Sequence, residues 1–196
     1  MYPTGSRPGQ FYRLAKMHKL KDGERVNELP FRPIVSNIGT ASYEIAKHLV
    51  QLLSPLVKSE FTVSSTNKLL NILEKQVVPE DCELLPFDVT SLFTNVPLKF
   101  TIDVILGKVY DEKMIHTNIP RKELKELLLL CTKNVHFGFN NKLYQQLDEV
   151  AMGSLLGPVI AGIFMVEFKT TIVLTLSHYL SLYVLSKRDI VVLFWR

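Results

Sequence analysis

Asp88 lies between an apolar run, Leu84-Leu85-Pro86-Phe87, and the segment Val89-Thr90-Ser91-Leu92-Phe93-Thr94-Asn95-Val96, after which Pro97 opens an amphipathic stretch. That order places one carboxylate at the C-terminal end of a predicted strand, facing a crevice. A carboxylate drawn toward apolar surroundings is costly unless it is paired or holds a cation. Asp88 therefore suits two roles, a cation ligand or a cap at the turn into the next segment. The residue by itself fits both.

Cationic side chains gather elsewhere. The net charge is +4 over 196 residues, and the excess is confined to residues 1–32. That stretch holds Arg7, Arg13, Lys16, Lys19, Lys21, Arg25 and Arg32 against Asp22, Glu24 and Glu28, while the remainder balances at sixteen against sixteen. Interleaved with Phe11, Tyr12, Met17 and His18, these cations fit a phosphate-contacting surface, or simply a solvated basic segment. Cys82 and Cys131 are far apart and lack metal-ligand spacing, which fits core thiols in a reducing, intracellular setting.

The elements that would position these groups follow from periodicity. With 47% hydrophobic and 21% charged residues the chain has ample core material, and its length suits one domain or part of a larger one. Residues 1–10, polar and rich in Pro and Gly, read as a flexible lead without a signal peptide. Phe11–Leu14 and Arg32–Ser36 read as two strands joined by a polar loop. Thr40 is the predicted N-cap of a helix striped by Ile45, Leu49, Leu52, Leu53 and Leu56. A second helix is predicted over 66–77, a third from Pro97 to about Val109, and a fourth from Pro120 with Leu124, Leu127, Leu128 and Cys131 on one face. Asn140-Asn141 tolerates positive φ, so the alternating runs beside it predict a β-hairpin. A glycine-punctuated loop, Met152–Pro158, precedes an apolar helix over Val159–Phe168. The apolar stretch Ile172–Leu185 counts fourteen residues, short of the roughly 20 that span a bilayer, and reads as core.

Three segments, taken in order, resemble the reverse transcriptases of Penelope-like retroelements. Phe11-Tyr12-Arg13-Leu14-Ala15-Lys16-Met17-His18-Lys19 with Phe31-Arg32-Pro33-Ile34-Val35-Ser36 is similar to the family's fingers motifs, written YGLPKIHK and RPIVS. Phe87–Leu98 looks like polymerase motif A, and Met152–Pro158 with its helix looks like motif B, MGSPLGP. Tyr144-Gln145-Gln146 in the hairpin is also typical of the family.

The resemblance implies an α+β fold, the fingers and partial palm of a right-hand polymerase, helix-rich with a small antiparallel sheet. Residues 11–80 would be fingers-like, 81–168 a partial palm, and 169–196 a divergent apolar segment. The implied chemistry is nucleotidyl transfer with two Mg²⁺ ions, using an RNA template, a DNA primer and dNTPs. Asp88 would ligate the metals with the Val89 carbonyl. Phe93 would exclude a ribose 2′-hydroxyl. Lys16 and Arg32 would grip the triphosphate, and Met152 and Gly153 would let the backbone approach the nucleotide. Arg13, Lys19 and Lys21 would contact nucleic acid. The family's location, nuclear or cytoplasmic, would follow, with no membrane attachment.

The sequence departs from the family at several positions. No Asp-Asp dipeptide occurs, so motif C, written YVDD, has no counterpart, although Phe194-Trp195-Arg196 resembles the approach to it. Arg13 and Ala15 replace a family Gly and Pro, and Leu155 replaces the Pro of motif B. One carboxylate does not balance two Mg²⁺ ions, so little or no polymerase activity is expected from these residues alone. The missing motif C hairpin would also leave a palm edge open. The alternatives are a non-catalytic nucleic-acid-binding remnant and a gene relic without function.

Overall fold

The computed structural model describes residues 6–20, 25, 29–58, 62–63, 65, 67, 70–71, 74–75, 83–87, 92–133, 135–146, 153–176, 180–186 and 191–195. The strands are β1 (Gly9–Ala15), β2 (Phe31–Ser36), β3 (Thr62–Val63), β4 (Glu83–Phe87), β5 (His136–Phe139), β6 (Lys142–Gln145), β7 (Leu180–Ser186) and β8 (Val191–Trp195). The helices are α1 (Tyr43–Leu53), α2 (Leu92–Asn95), α3 (Leu98–Leu106), α4 (Arg121–Thr132) and α5 (Gly157–Leu176).

The strands form two four-stranded sheets, in the orders β2-β1-β5-β6 and β3-β7-β8-β4. Most neighbours are antiparallel, and each sheet contains one parallel pair, β1 with β5 and β3 with β7. The expected α+β class is the observed one, with mixed sheets in place of a purely antiparallel one.

The two predicted arm strands pair as expected, with Phe11 opposite Val35 and Leu14 opposite Arg32. Gly9 allows β1 to come close to its neighbours, since a Cβ there would lie 2.9 Å from the Ser36 carbonyl oxygen. The Asn140-Asn141 turn closes β5 onto β6 with φ of 49° and 58°, the left-handed pair that a two-residue hairpin needs. Parallel pairing of Gly9 with Phe137 then joins this hairpin to the arm.

The core is helical. Ala46, Leu49 and Leu53 of α1, Ile102 and Ile105 of α3, Leu124 and Leu128 of α4, and Ile160 and Ile163 of α5 are buried together. Pro97 and Pro120 stand at the N-caps of α3 and α4, where a missing N–H costs nothing. Thr40 is not the cap of α1. Its hydroxyl donates to the Asn37 carbonyl at 2.8 Å, closing a turn, and the helix begins at Tyr43 after Ser42. A short hydroxyl can satisfy either backbone group, and here the turn wins.

α5 runs to Leu176, beyond the predicted end at Phe168. Three threonine hydroxyls along its later turns, those of Thr170, Thr171 and Thr175, donate back to carbonyls four residues earlier. These bonds let polar residues continue a helix without exposing unpaired groups. The apolar stretch read from 172 to 185 is thus divided between the end of α5 and β7. No helix among the described residues is long and apolar enough to cross a membrane. β4 lies at the edge of the second sheet, paired with β8 so that Phe87 faces Val191. Most of the helix predicted over 66–77 lies outside the described residues.

Candidate nucleotide-binding site

The arm motif and the glycine loop meet on β2. Arg32 and Ile34 stand two residues apart on this strand and so share a face. Leu14 and Tyr12 lie opposite them on β1 and share it too. Gly153 is pressed against the same face. A Cβ at Gly153 would lie 2.5 Å from the Val35 carbonyl oxygen and 2.9 Å from Ile34 Cγ2. Its φ of +108° is also one that side-chain-bearing residues rarely adopt. Two independent constraints therefore require glycine at this position.

Contact with Ile34 places Gly153 on the face that carries Arg32, one strand repeat away. Arg32 is exposed, and none of the described carboxylates pairs with it in the ion pairs found at Lys47–Glu44, Lys108–Glu167, Arg121–Asp111 and Lys125–Asp103. Lys16 extends the arm past β1: its amide donates to the Pro30 carbonyl at 3.0 Å, and its carbonyl accepts from the Lys19 amide at 2.9 Å. A turn over Met17–Lys19 follows, leaving Lys16 half-buried and Lys19 exposed. The strands of the first sheet carry Arg13, Arg32, Lys142 and His136 and not one Asp or Glu. Such a surface suits an anionic ligand.

Phe93 sits on α2, half-buried against the helical core. Arg13 lies on the other face of β1, its guanidinium 4.7 Å from the Phe31 ring centroid. The structure therefore places Gly153 against the face of β2 that carries Arg32, and Arg13 on the other face. Asp88, Val89, Lys21 and Met152 lie outside the described residues. Asp88 follows β4 directly in sequence. Among the described residues there is no group of three or more His, Cys, Asp and Glu side chains able to hold a metal ion.

Sequence reasoning missed Ile34 as the residue that seats Gly153. The signal was present: a strand motif that places an arginine on one face must place the residue two positions later on that face as well. It also missed two buried polar atoms near this junction, Ser154 Oγ and Asn37 Oδ1, which have no hydrogen-bond partner among the described residues.

Titration behaviour in the helical body has clear physical causes. Burial pushes the Cys131 thiol up to about 11, and its sulfur donates weakly to the Ser42 carbonyl. A hydrogen bond from Arg121 holds the exposed Asp111 carboxyl below its usual range. Burial raises the Tyr110 phenol, whose hydroxyl donates to the Ile119 carbonyl.

No protein-family model matches the chain, and no curated protein matches it. Solved structures do. Apo telomerase from Candida tropicalis superposes with a TM-score of 0.63 at 14% identity, covering 100% of this chain and 39% of that one. Telomerase from Candida albicans in complex with the TWJ fragment of telomeric RNA gives 0.63 at 12% identity, covering 97% and 38%. A Candida tropicalis apo telomerase truncated from its C-terminal domain gives 0.60 at 13% identity, covering 96% and 43%.

The fold is reverse-transcriptase-like. It is the α+β fold of the fingers and part of the palm of a right-hand polymerase, and the chain spans about two fifths of the telomerase chains it matches. At such identity the likeness speaks for the fold alone.

Proposed function

We propose that the chain is the fingers and front palm of an RNA-directed DNA polymerase, of the kind carried by Penelope-like retroelements. The observation that supports this best is the seating of Gly153 on β2 beside Arg32. It joins two motifs separated by more than a hundred residues on one exposed, cationic surface. A backbone stripped of its side chain on the same strand face as a guanidinium suits a nucleoside triphosphate, which calls for bidentate bonds to phosphate oxygens and close backbone approach.

In this reading Arg32 and Lys16 bind the triphosphate, Phe93 limits the sugar to deoxyribose, and Met152 with Gly153 forms the wall against the nascent pair. Arg13, Lys19 and Lys21 contact the RNA template and DNA primer. Asp88 and the Val89 carbonyl would hold Mg²⁺, which when bound would stabilise charge on the attacking and leaving oxygens. These 196 residues supply no Asp-Asp pair to complete that site, so by themselves they do not polymerise. Nuclear or cytoplasmic residence belongs to the same reading.

The test is paired. Binding of an RNA–DNA primer duplex with dNTP should be salt-dependent and weakened by Arg32→Ala, Lys16→Ala and Lys19→Ala. Primer extension with Mg²⁺ should be absent. Asp88-dependent extension would overturn the inactivity, and binding indifferent to salt and to all three substitutions would sink the polymerase reading. A second reading, a non-catalytic nucleic-acid-binding module, draws on the carboxylate-free first sheet. It predicts the same RNA binding without any contribution from dNTP.

A further inference from the structure

The face of the first sheet turned away from Arg32 carries a row of rings. Phe11 and Arg13 share that face on β1, opposite Val35 and Pro33. Pairing of Gly9 with Phe137, and of Phe137 with Tyr144, carries the face across β5 and β6, where Phe139 lies opposite Lys142. The Phe11 and Phe137 centroids are 5.6 Å apart, and Phe137 and Tyr144 are stacked at 5.7 Å with 17° between planes. Phe139 meets Phe11 edge-on at 5.1 Å. Val35 and Val135 are buried under this row, yet Phe139 and Tyr144 remain 48% and 43% exposed.

Cross-strand ring packing accounts for the inner members. It does not account for the open outer rings or for their charged surroundings. Arg13 and Lys142 are exposed on this same face, and no carboxylate lies on any of the four strands. An apolar protein partner would gain little from a rim of exposed cations that no described carboxylate pairs with. Unpaired bases would gain from both features, stacking on rings while their phosphates meet the cations.

We propose that this face is a stacking platform for unpaired RNA, with bases on Phe139 and Tyr144 and phosphates beside Arg13 and Lys142. The choice of RNA rests on the polymerase reading. The platform lies on the opposite side of the sheet from Arg32 and Gly153, so it holds template that is not at the nucleotide site.

The experiment is anisotropy of a labelled oligouridylate of about 12 nucleotides with the full chain. Tyr144→Ala combined with Phe139→Ala is expected to weaken binding roughly ten- to hundredfold, while Tyr144→Trp retains it. Lys142→Glu, an exposed substitution, is expected to weaken binding and flatten its salt dependence. A 4-thiouridine probe should cross-link to the peptide containing Tyr144. If the ring variants keep the parent's circular dichroism and its affinity, the platform is wrong. In that case a large loss on Arg32→Ala would still leave the nucleotide-site reading intact. Ring-dependent binding that ignores Arg32→Ala would establish the platform, since Arg32 lies on the other face, and the nucleotide-site reading would then stand or fall on the dNTP-dependent binding of the primer duplex. Absence of RNA binding with Tyr144-dependent self-association would overturn the platform in favour of a contact between copies.

Discussion

The helical body and the first sheet are built on opposite principles. In the body, Leu49, Leu53, Ile105, Leu124, Leu128 and Ile160 have no exposed surface at all, and ion pairs such as Lys108–Glu167 tie helices at their margins. The first sheet buries two valines, leaves rings open on one face and Tyr12 and Leu14 open on the other, and has no acid on its strands. The body holds the buried core, and the sheet leaves cations and rings exposed. A difference of this kind lets stability and binding be altered separately.

The sharpest way to break that comparison is a pair of truncations. Leu128→Ala removes a fully buried side chain from the helical core and is expected to cost about 2–5 kcal/mol, read by urea denaturation. Tyr144→Ala removes a ring exposed at a sheet margin and should cost about 1 kcal/mol or less. Comparable costs would mean that the sheet is as much core as the helices are.

Next in size are two glycines with positive φ. At Gly153 a Cβ would meet backbone, the Val35 carbonyl at 2.5 Å, whereas at Gly39 (φ 79°) it would meet the flexible Arg7 side chain at 3.1 Å. Gly153→Ala should cost about 1–3 kcal/mol in strain and also displace the loop from β2, weakening nucleotide binding. Gly39→Ala should carry backbone strain without that loss of binding. Equal effects on binding would remove the argument that Gly153 is seated for a ligand.

How far each region was legible in the sequence follows the same division. The arm strands, the Asn140-Asn141 hairpin and the starts at Pro97 and Pro120 were readable because local φ preferences and periodicity determine them. Pairing of β1 with β5 was not readable, since it joins Gly9 to Phe137 across more than a hundred residues and rests on a missing side chain. The shared face of Arg32 and Ile34 was legible in the strand motif, but the contact of Gly153 with it spans a similar sequence distance and was not. Thr40 misled because one hydroxyl had two backbone groups in reach. α5 runs past its predicted end through a threonine-bearing stretch whose hydroxyls bond back to their own helix. Of the candidate site, residue types were visible from sequence, but the separation of Arg13 from Arg32 onto opposite faces required the register.

A pH series tests the body from another side. Burial raises the Cys131 thiol to about 11, so in the folded chain it keeps its proton where the unfolded chain has lost it. Between the ordinary thiol range and about pH 11 the unfolded state binds fewer protons, and stability falls as pH rises. The Tyr110 phenol, also raised by burial, adds to the decline at higher pH. Cys131→Ala should flatten the slope between pH 9 and 11, whatever it does to stability at neutral pH. Asp111 acts at the other extreme: its lowered carboxyl contributes stability that is lost as pH falls through its folded value, and because it is exposed the loss should be small. An unchanged alkaline slope in Cys131→Ala would show the thiol to be solvated.

The smallest expected effect compares two buried hydroxyls. Thr132 Oγ1 donates to the Leu128 carbonyl at 2.7 Å inside the body. Ser154 Oγ, buried at the junction with the sheet, has no partner among the described residues. Thr132→Val removes a made bond and should cost about 1 kcal/mol. Ser154→Ala removes a group whose desolvation nothing offsets, so stability should hold or rise by a few tenths of a kcal/mol, as expected when an unsatisfied polar group is deleted. The sign of the Ser154→Ala change is the informative quantity. A loss as large as that of Thr132→Val would mean that the hydroxyl is bonded in solution. A gain accompanied by weaker nucleotide binding would mean that the junction keeps an unpaired hydroxyl for its ligand, at some expense to the fold.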